Sequence, residues 1–438
     1  VEKRRLSFLN EVRDQIKSTE AKEFVAAELD YHIKEAKNHL LAKGVDEAQA
    51  EEKAVGQMGS PVMLGQQLNK LHRPKVDWLT VILLVITLGL GFIPILFVDP
   101  DYSSQIGVDA SYFSKNKGIF SLLGGAVAVG MMLMDYRKLA KFGWLFYGIG
   151  MLILVVLQTF PSSSHGVPVI DIGPYRVMGL TAIPFFLLAW ACFFNHKKLM
   201  LWQISLLFIL SCYLFFMTST IPTTYIYAVM VFVMLWWSQF SRKTILITTS
   251  VMASFLFLVG LGVWQFGVGV YSLKNRFLAF INPERYSEGP GYLILLIKER
   301  MSEAGWLSNA SNHQVIPDVH TDLVFVGFTY YYGWLAALAL VCILLLFVAR
   351  IMMVTRKIHD PFGKLLLFGA VALYTVQLVS NIAMTLGLFP IMSISLPFIS
   401  YGLMPILFNA FLIGIVLSVY RRKDLTSSGF SHLERGQI

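Results

Sequence analysis

Long apolar runs separated by short polar stretches dominate the chain from Trp78 to Tyr420. A helix needs roughly 20 apolar residues to cross the hydrocarbon core of a bilayer. Ten runs are candidates: Trp78–Val98, Gly118–Met134, Phe142–Phe160, Val177–Phe194, Leu199–Met217, Thr223–Trp237, Ile245–Val263, Leu323–Val348, Phe362–Leu388 and Gly402–Tyr420. The sixth is short and opens behind Pro222, a residue tolerated in the first turn of a helix. The pattern changes near Arg73-Pro74-Lys75. Before it, Phe8, Val12 and Ile16, then Phe24, Ala27 and Tyr31, then Leu40 and Leu41 recur at helical spacing in a charged background. Asp46 ahead of Glu47-Ala48 predicts a helix N-cap. Gly59-Ser60-Pro61 predicts a stop followed by a new start, with Ser60 as cap and Pro61 in first position. The expected architecture is all-α. It comprises an N-terminal helical bundle (1–75), a polytopic membrane domain (76–423) with about ten transmembrane helices and a large outer loop (264–321), and a tail (424–438). Residues 1–75 read either as a compact bundle or as amphipathic helices lying on the membrane. The mixing of acidic with basic residues favours the bundle.

Composition agrees with a membrane chain. Of 438 residues, 56% are hydrophobic and 14% charged, with a mean hydropathy of +0.62, whereas soluble domains carry about 25% charged residues. The net charge of +9 gathers in alternate loops, at Arg137, Lys138 and Lys141, at Lys197 and Lys198, at Arg242 and Lys243, at Arg350, Arg356 and Lys357, and at Arg421, Arg422 and Lys423. Basic loops face the cytoplasm. Topology therefore explains the charge without a nucleic-acid partner, and both termini are expected in the cytoplasm. The intervening loops, Asp99–Lys117, Pro161–Arg176 and Trp264–Thr321, then face outward. No cleavable signal peptide is expected ahead of the first span. Cys192, Cys212 and Cys342 all lie in apolar runs and read as packing residues, not as a disulfide or metal framework.

Candidate chemistry is concentrated just before the eighth run, in Ile316-Pro317-Asp318-Val319-His320-Thr321-Asp322-Leu323-Val324-Phe325. A carboxylate at the mouth of a membrane helix costs free energy unless it has a partner or a task. A second reading is that Asp322 answers the helix dipole. Asp318, His320 and Asp322 alternate and read as either metal ligands or ordinary loop polarity. No glycine loop with Lys-Ser/Thr is present, which argues against an ATP-driven pump. Charges within the spans are scarce, which argues against an ion-coupled transporter. In the large outer loop, Tyr292-Leu293-Ile294-Leu295-Leu296-Ile297 predicts an interfacial helix, and Asn309-Ala310-Ser311 is a glycosylation sequon of weak weight.

Three segments carry a family resemblance. Arg276-Phe277-Leu278-Ala279-Phe280-Ile281-Asn282-Pro283-Glu284, continuing to Gly289-Pro290-Gly291-Tyr292, resembles the R-x-x-x-F-L-N-P…G-x-G-Y element of the SEDS proteins, the FtsW/RodA/SpoVE-like proteins of shape, elongation, division and sporulation. His320-Thr321-Asp322 resembles that family's H-T-D-F-I-F site. Asn381 through Pro390 and Leu396-Pro397-Phe398-Ile399-Ser400-Tyr401-Gly402 resemble its C-terminal signature. The resemblance spans Trp78 to Lys423. It implies a peptidoglycan glycosyltransferase in the bacterial cytoplasmic membrane that polymerises lipid II, a disaccharide-pentapeptide on undecaprenyl pyrophosphate, on the outer face with inversion. Asp322 would be the general base. Arg276, Asn282, Pro283, Arg285, Gly291, Tyr292, His320, Thr321, Asn381, Ser400 and Tyr401 would serve the substrate. The charge developing on the leaving pyrophosphate would be offset by Arg276, Arg285 or a divalent cation (Mg or Mn) as cofactor, and the resemblance implies a class B penicillin-binding transpeptidase as partner, with membrane lipids around the spans. Residues 44–61 resemble a HAAS-like helical prefix found ahead of some permeases.

Each residue also has a plainer reading. Arg276 and Arg285 fit interfacial anchors, Asn282-Pro283 and Pro397 fit backbone punctuation, Asn381 fits a bond to a neighbouring helix, and Ser400-Tyr401-Gly402 fits the start of a helix. Several family charges are replaced. Thr181 and Pro184 stand where Glu and Lys belong, Tyr330 and Tyr331 where paired acids belong, and Leu403-Met404 where Gly-Ser-Ser would follow. Two functions are therefore carried forward: an active transferase, and a catalytically inactive binder or regulator of cell-wall synthesis acting through the N-terminal bundle.

Overall fold

The computed structural model describes residues 2–72, 74–97, 110–160, 162–164, 167–172, 175–196, 199–218, 221–266, 271–307 and 316–424. The sequon at 309–311 and the tail beyond 424 lie outside the described residues. The chain divides into two compact units, Val1–Asp77 with Tyr420–Ile438, and Trp78–Val419.

The first unit holds α1 (Glu2–Gln15), α2 (Thr19–Ala42), α3 (Glu47–Gln57) and α4 (Pro61–Leu71). It has its own core, built from Phe8, Leu9, Val12 and Ile16 of α1, Ala21, Val25, Leu29 and Ile33 of α2, Ala54 and Val55 of α3 and Leu68 of α4. Burial of this kind drives a bundle to close on itself, so the compact reading holds over the surface-helix reading. Of the expected stripe on α2, Phe24 and Leu40 pack against this core, but the rest of the stripe is out of phase. Tyr31 is 65% exposed and Leu41 is also exposed, while Val25, Leu29 and Ile33 line the core at i, i+4, i+8. Asp46 caps α3 through Ala48 N at 3.2 Å. Ser60 stands at the start of α4 with Pro61 behind it, but its side chain makes no capping hydrogen bond. The chain beyond the last helix returns to this unit, where Asp424 pairs with Lys75 at 2.8 Å and its carbonyl accepts from His72 Nδ1 at 2.6 Å.

The second unit is helical apart from a small antiparallel sheet, β1 (Ser162–Ser164), β2 (Val167–Ile172) and β3 (Tyr175–Val177), in a segment expected to be a plain loop. Ser163 lies opposite Pro168 and Asp171 opposite Arg176. Its helices are α5 (Trp78–Leu90), α6 (Ala110–Leu133), the single turn α7 (Tyr136–Leu139), α8 (Gly143–Thr159), α9 (Ile183–Asn195), α10 (Leu201–Thr218), α11 (Ile221–Trp236), α12 (Arg242–Phe266), α13 (Tyr271–Ile281), α14 (Pro290–Glu303), α15 (Val324–Arg356), α16 (Pro361–Thr385) and α17 (Leu403–Arg421). Among the described residues, six segments are long and apolar enough to cross a membrane, Trp78–Leu96, Ser111–Leu133, Arg242–Gly262, Val324–Arg356, Pro361–Thr385 and Leu403–Arg421, and four apolar helices are shorter.

Helices α9, α16 and α17 form the centre, with Phe186, Trp190, Leu366, Tyr374, Ile413 and Val416 fully buried. The outer faces carry exposed Leu122, Leu152, Trp202, Phe257 and Leu338. Such faces are stable in hydrocarbon and would aggregate in water. Cys192 and Cys212 pack inside as expected, whereas Cys342 is exposed on α15. Helix α6 approaches α17 closely: a Cβ on Gly124 would stand 2.7 Å from the Ile406 side chain, and one on Gly414 would stand 2.9 Å from the Ala128 carbonyl. Small residues of this kind let helix backbones meet inside a membrane.

Candidate active site

Two segments meet at one end of this core, the turn preceding α15 and the strap joining α16 to α17. The turn is Ile316–Leu323. Asp318 adopts φ +52°, a left-handed conformation that short polar side chains tolerate. Its carbonyl accepts from Thr321 N at 3.0 Å and from Leu323 N at 3.2 Å. Helical spacing is thereby broken and Asp322 is presented ahead of α15.

The strap and the end of α16 together hold this turn from three directions. Ser400 Oγ donates to the Thr321 carbonyl at 2.6 Å, and Tyr401 N donates to the His320 carbonyl at 2.7 Å. Asn381, buried on α16, donates to the Asp322 carbonyl at 2.9 Å and to the Ile394 carbonyl at 2.7 Å. The His320 ring sits edge-on to Phe113 and Tyr401, with centroids at 5.4 and 5.8 Å. Asn381→Leu should therefore strand two carbonyls at once. An unmet buried polar group costs about 1–3 kcal/mol, so a loss of about 2–4 kcal/mol and a lower thermal unfolding midpoint in detergent are expected. An unchanged midpoint would mean that water replaces the amide freely.

Electrostatics distinguish the acid from its neighbours. Burial pushes the Asp322 carboxyl up to about 6; hydrogen bonds from Ser393 and Ser395 oppose the rise, and the charge of Asp318 adds to it. Burial lowers His320 from its ordinary value against the pull of Asp318, which favours the neutral imidazole. A carboxylate that titrates near neutrality can take a proton and return it. Asp322 is thus suited to general-base work.

The site residues expected from sequence separate into two groups. His320, Thr321, Asp322, Asn381, Ser400 and Tyr401 come together; Asn381 bonds non-helical backbone at Asp322 and Ile394 in place of a neighbouring helix, and Ser400 bonds Leu396 N and the Thr321 carbonyl three residues ahead of α17. Arg276, Asn282, Pro283, Arg285, Gly291 and Tyr292 instead belong to the hairpin of α13 and α14. There Arg276, Asn282 and Arg285 are exposed and Tyr292 is 58% exposed. Asn282 Oδ1 accepts from Arg285 N at 3.4 Å. Gly291 lets the hairpin close, since a Cβ there would strike the Pro283 and Tyr286 carbonyls. The apolar run Tyr292–Ile297 is helical as expected, at the start of α14, and its buried side is taken up in packing. Leu293 and Ile297 join Val319, Leu323, Phe325, Val326 and Met384 in a core beneath the turn. Tyr330, at a lost acid position, is buried with the Arg300 guanidinium 5.9 Å over its ring, and Arg300 pairs with Glu303 at 2.9 Å.

Sequence reasoning missed Ser393 and Ser395, which carry no helical or motif signal, and Lys117, which it left in the outer loop. Lys117 lies inside α6 and is fully buried. The suggested metal set does not fit. Among the described residues no group of three His, Cys, Asp or Glu side chains could hold a metal ion, so Asp318, His320 and Asp322 do not converge.

Comparison with known proteins agrees with the fold and the motifs. Residues 77–425 match the family model for the FtsW/RodA/SpoVE cell cycle proteins. A probable peptidoglycan glycosyltransferase FtsW from Trichlorobacter lovleyi is 24% identical over 365 residues, covering 79% of this chain and 93% of that protein. The peptidoglycan glycosyltransferase MrdB of Escherichia coli is 25% identical over 171 residues, covering 38% of this chain and 46% of its own length. Among solved structures, a chain of a peptidoglycan synthase complex that coordinates polymerization and crosslinking superposes with a TM-score of 0.65 at 21% identity, over 80% of this chain and 98% of that one. The rod shape determining protein RodA of Thermus thermophilus superposes with a TM-score of 0.58 at 18% identity, over 80% and 97%. Such similarity extends across the whole second unit and takes in both the turn and the strap. The chain is a multi-pass bacterial inner-membrane protein, and it belongs to the FtsW/RodA/SpoVE family of cell cycle proteins.

Proposed function

We propose that this chain is a peptidoglycan glycosyltransferase that polymerises lipid II at the outer face of the membrane, with both termini in the cytoplasm. The observation that carries the reading is the environment of Asp322, a largely desolvated carboxyl pushed up to about 6 at the mouth of a membrane helix. Its carboxylate takes the proton from the acceptor sugar hydroxyl as that oxygen attacks the anomeric carbon of the donor. The new glycosidic C–O bond forms while the bond to the pyrophosphate breaks, and the lipid pyrophosphate leaves with the electron pair. Attack opposite the leaving group inverts the anomeric centre. Exposed Arg276 and Arg285 on the outer hairpin supply fixed positive charge for the phosphates of the substrate. A transpeptidase partner is supported by the synthase complex whose chain shares this fold.

The direct test is polymerisation of fluorescent lipid II by the purified protein, with and without Mg. Long glycan chains are expected. Failure to form product while the precursor binds would return the chain to the binder reading. The pH profile adds a second check. The base works as carboxylate, so the rate should rise with pH through about 6 and fall about tenfold for each unit below it, as a single essential ionisation requires. An acid limb near the ordinary carboxylate range would contradict the desolvated site.

A further inference from the structure

We propose that Lys117 is a positioning residue for this site, its buried ammonium tying three carbonyls of the 398–400 turn into the strap that holds Asp322. An ammonium has three N–H donors and no acceptor, and a buried cation is costly unless each donor is met. Lys117 Nζ donates to the carbonyls of Phe398, Ile399 and Ser400 at 2.9, 3.2 and 3.0 Å. All three donors are used and the side chain is fully buried, so Lys117 acts through the backbone and not by touching substrate.

Two further features fit a built cradle. Phe398 adopts φ +62°, a rare conformation for a bulky residue that persists only where its surroundings impose it. A Cβ on Gly91 would stand 2.6 Å from the Phe398 carbonyl and 2.8 Å from Lys117 Nζ, so glycine leaves the space that both occupy.

The same turn reaches the acid by two hydrogen bonds. Ser400 Oγ accepts from Leu396 N at 2.8 Å and donates to the Thr321 carbonyl, while Tyr401 N donates to the His320 carbonyl. The backbone one and two residues before Asp322 is therefore fixed by the segment that Lys117 fixes. Ser393 and Ser395, which bond the carboxyl itself, lie on the same strap.

This inference rests on the reading of Asp322 as the base, so its test needs a readout besides polymer. A hydrophobic carbodiimide couples to protonated carboxyls, and peptide mass spectrometry of the full-length protein then gives the pH midpoint of labelling at Asp322, with Asp322→Asn as blank. Lys117→Met keeps the length and removes the donors. The loosened strap should admit water, lowering that midpoint by about one pH unit as desolvation is relieved. Misplacing a reacting group by an ångström can cost about 100-fold, so kcat should fall by about that factor with KM little changed. Should Lys117→Met not fold, Lys117→Arg serves, since a planar guanidinium cannot meet three converging carbonyls as an ammonium does; a smaller shift in the same direction is expected. Asp318 and His320, the titratable neighbours on the acid's own segment, are unaltered in both variants. An unchanged labelling midpoint in the folded variant overturns the proposal whatever its rate. Wild-type protein that labels near pH 6 but makes no polymer would instead overturn the transferase reading alone.

Discussion

Asp322→Asn should abolish processive polymerisation while leaving the protein folded. The amide nearly matches the carboxylate in shape and can still meet Ser393 and Ser395, but it cannot accept the sugar proton. General-base catalysis contributes about 10²–10⁴-fold, and loss of that order is expected with fluorescent lipid II. Stability should move the other way or not at all. The carboxyl titrates near 6 in the folded chain against an ordinary 3.8. Its protonated form favours folding below the lower value, and that contribution is lost as pH rises through the upper one. At neutral pH the ionised, desolvated acid therefore opposes the fold, and the neutral amide removes that opposition. A variant that is inactive with an equal or higher unfolding midpoint fits a base held at a cost to stability. Wild-type turnover would remove Asp322 from the mechanism, and a lower midpoint would make it structural.

Gly333→Ala should be among the most destabilising single-methyl changes in the membrane unit. Helix α15 runs from Val324 to Arg356 but breaks at Gly333, where φ is +84° and ψ is 168°, a region open essentially to glycine alone. The amides freed by the break are met by a neighbouring segment: Trp334 N donates to the Gly305 carbonyl at 3.0 Å and Leu335 N to the Trp306 carbonyl at 3.2 Å. A Cβ at 333 would stand 2.7 Å from the Trp306 carbonyl oxygen and 2.8 Å from the Leu307 carbonyl carbon. These are backbone atoms and cannot rotate away. Conformational strain of about 1–3 kcal/mol adds to overpacking of about 1–3 kcal/mol, so a total of about 3–5 kcal/mol is expected, read as a lower unfolding midpoint in detergent. Gly130→Ala, on an exposed helix face with open space around it, is the control and should be neutral or slightly stabilising. Equal behaviour of the two variants would mean that the break is not needed for the fold. The break matters to the site because the nine residues from Val324 to Tyr332 form the short rigid piece that carries the Asp322 turn.

How far the site could be read along the chain depended on where each residue's partners lie. Asp322 was legible because its neighbours His320 and Thr321 form a contiguous motif beside an apolar run. Asn381, Ser400 and Tyr401 were legible as signature positions, but their work on the His320, Thr321 and Asp322 carbonyls was not, since backbone acceptors carry no residue identity. The α13–α14 residues matched the family in order and stand on a hairpin whose apolar side, Leu293 and Ile297, packs beneath the turn, a placement that a motif's spacing does not give. Lys117 was hidden for a related reason. A cation at the edge of an apolar run reads as a loop residue unless the carbonyls that satisfy it are in view, and those lie more than 280 positions later.

By itself the sequence determined which segments leave water. Transfer into a bilayer is nearly additive over residues, so hydropathy carried the helical class and the membrane unit. Only the tertiary structure decided the phase of α2, the small sheet, the break at Gly333 and the strap around Asp322. Each of these depends on pairwise packing and hydrogen bonds between distant segments, and no local sum of residue preferences contains them.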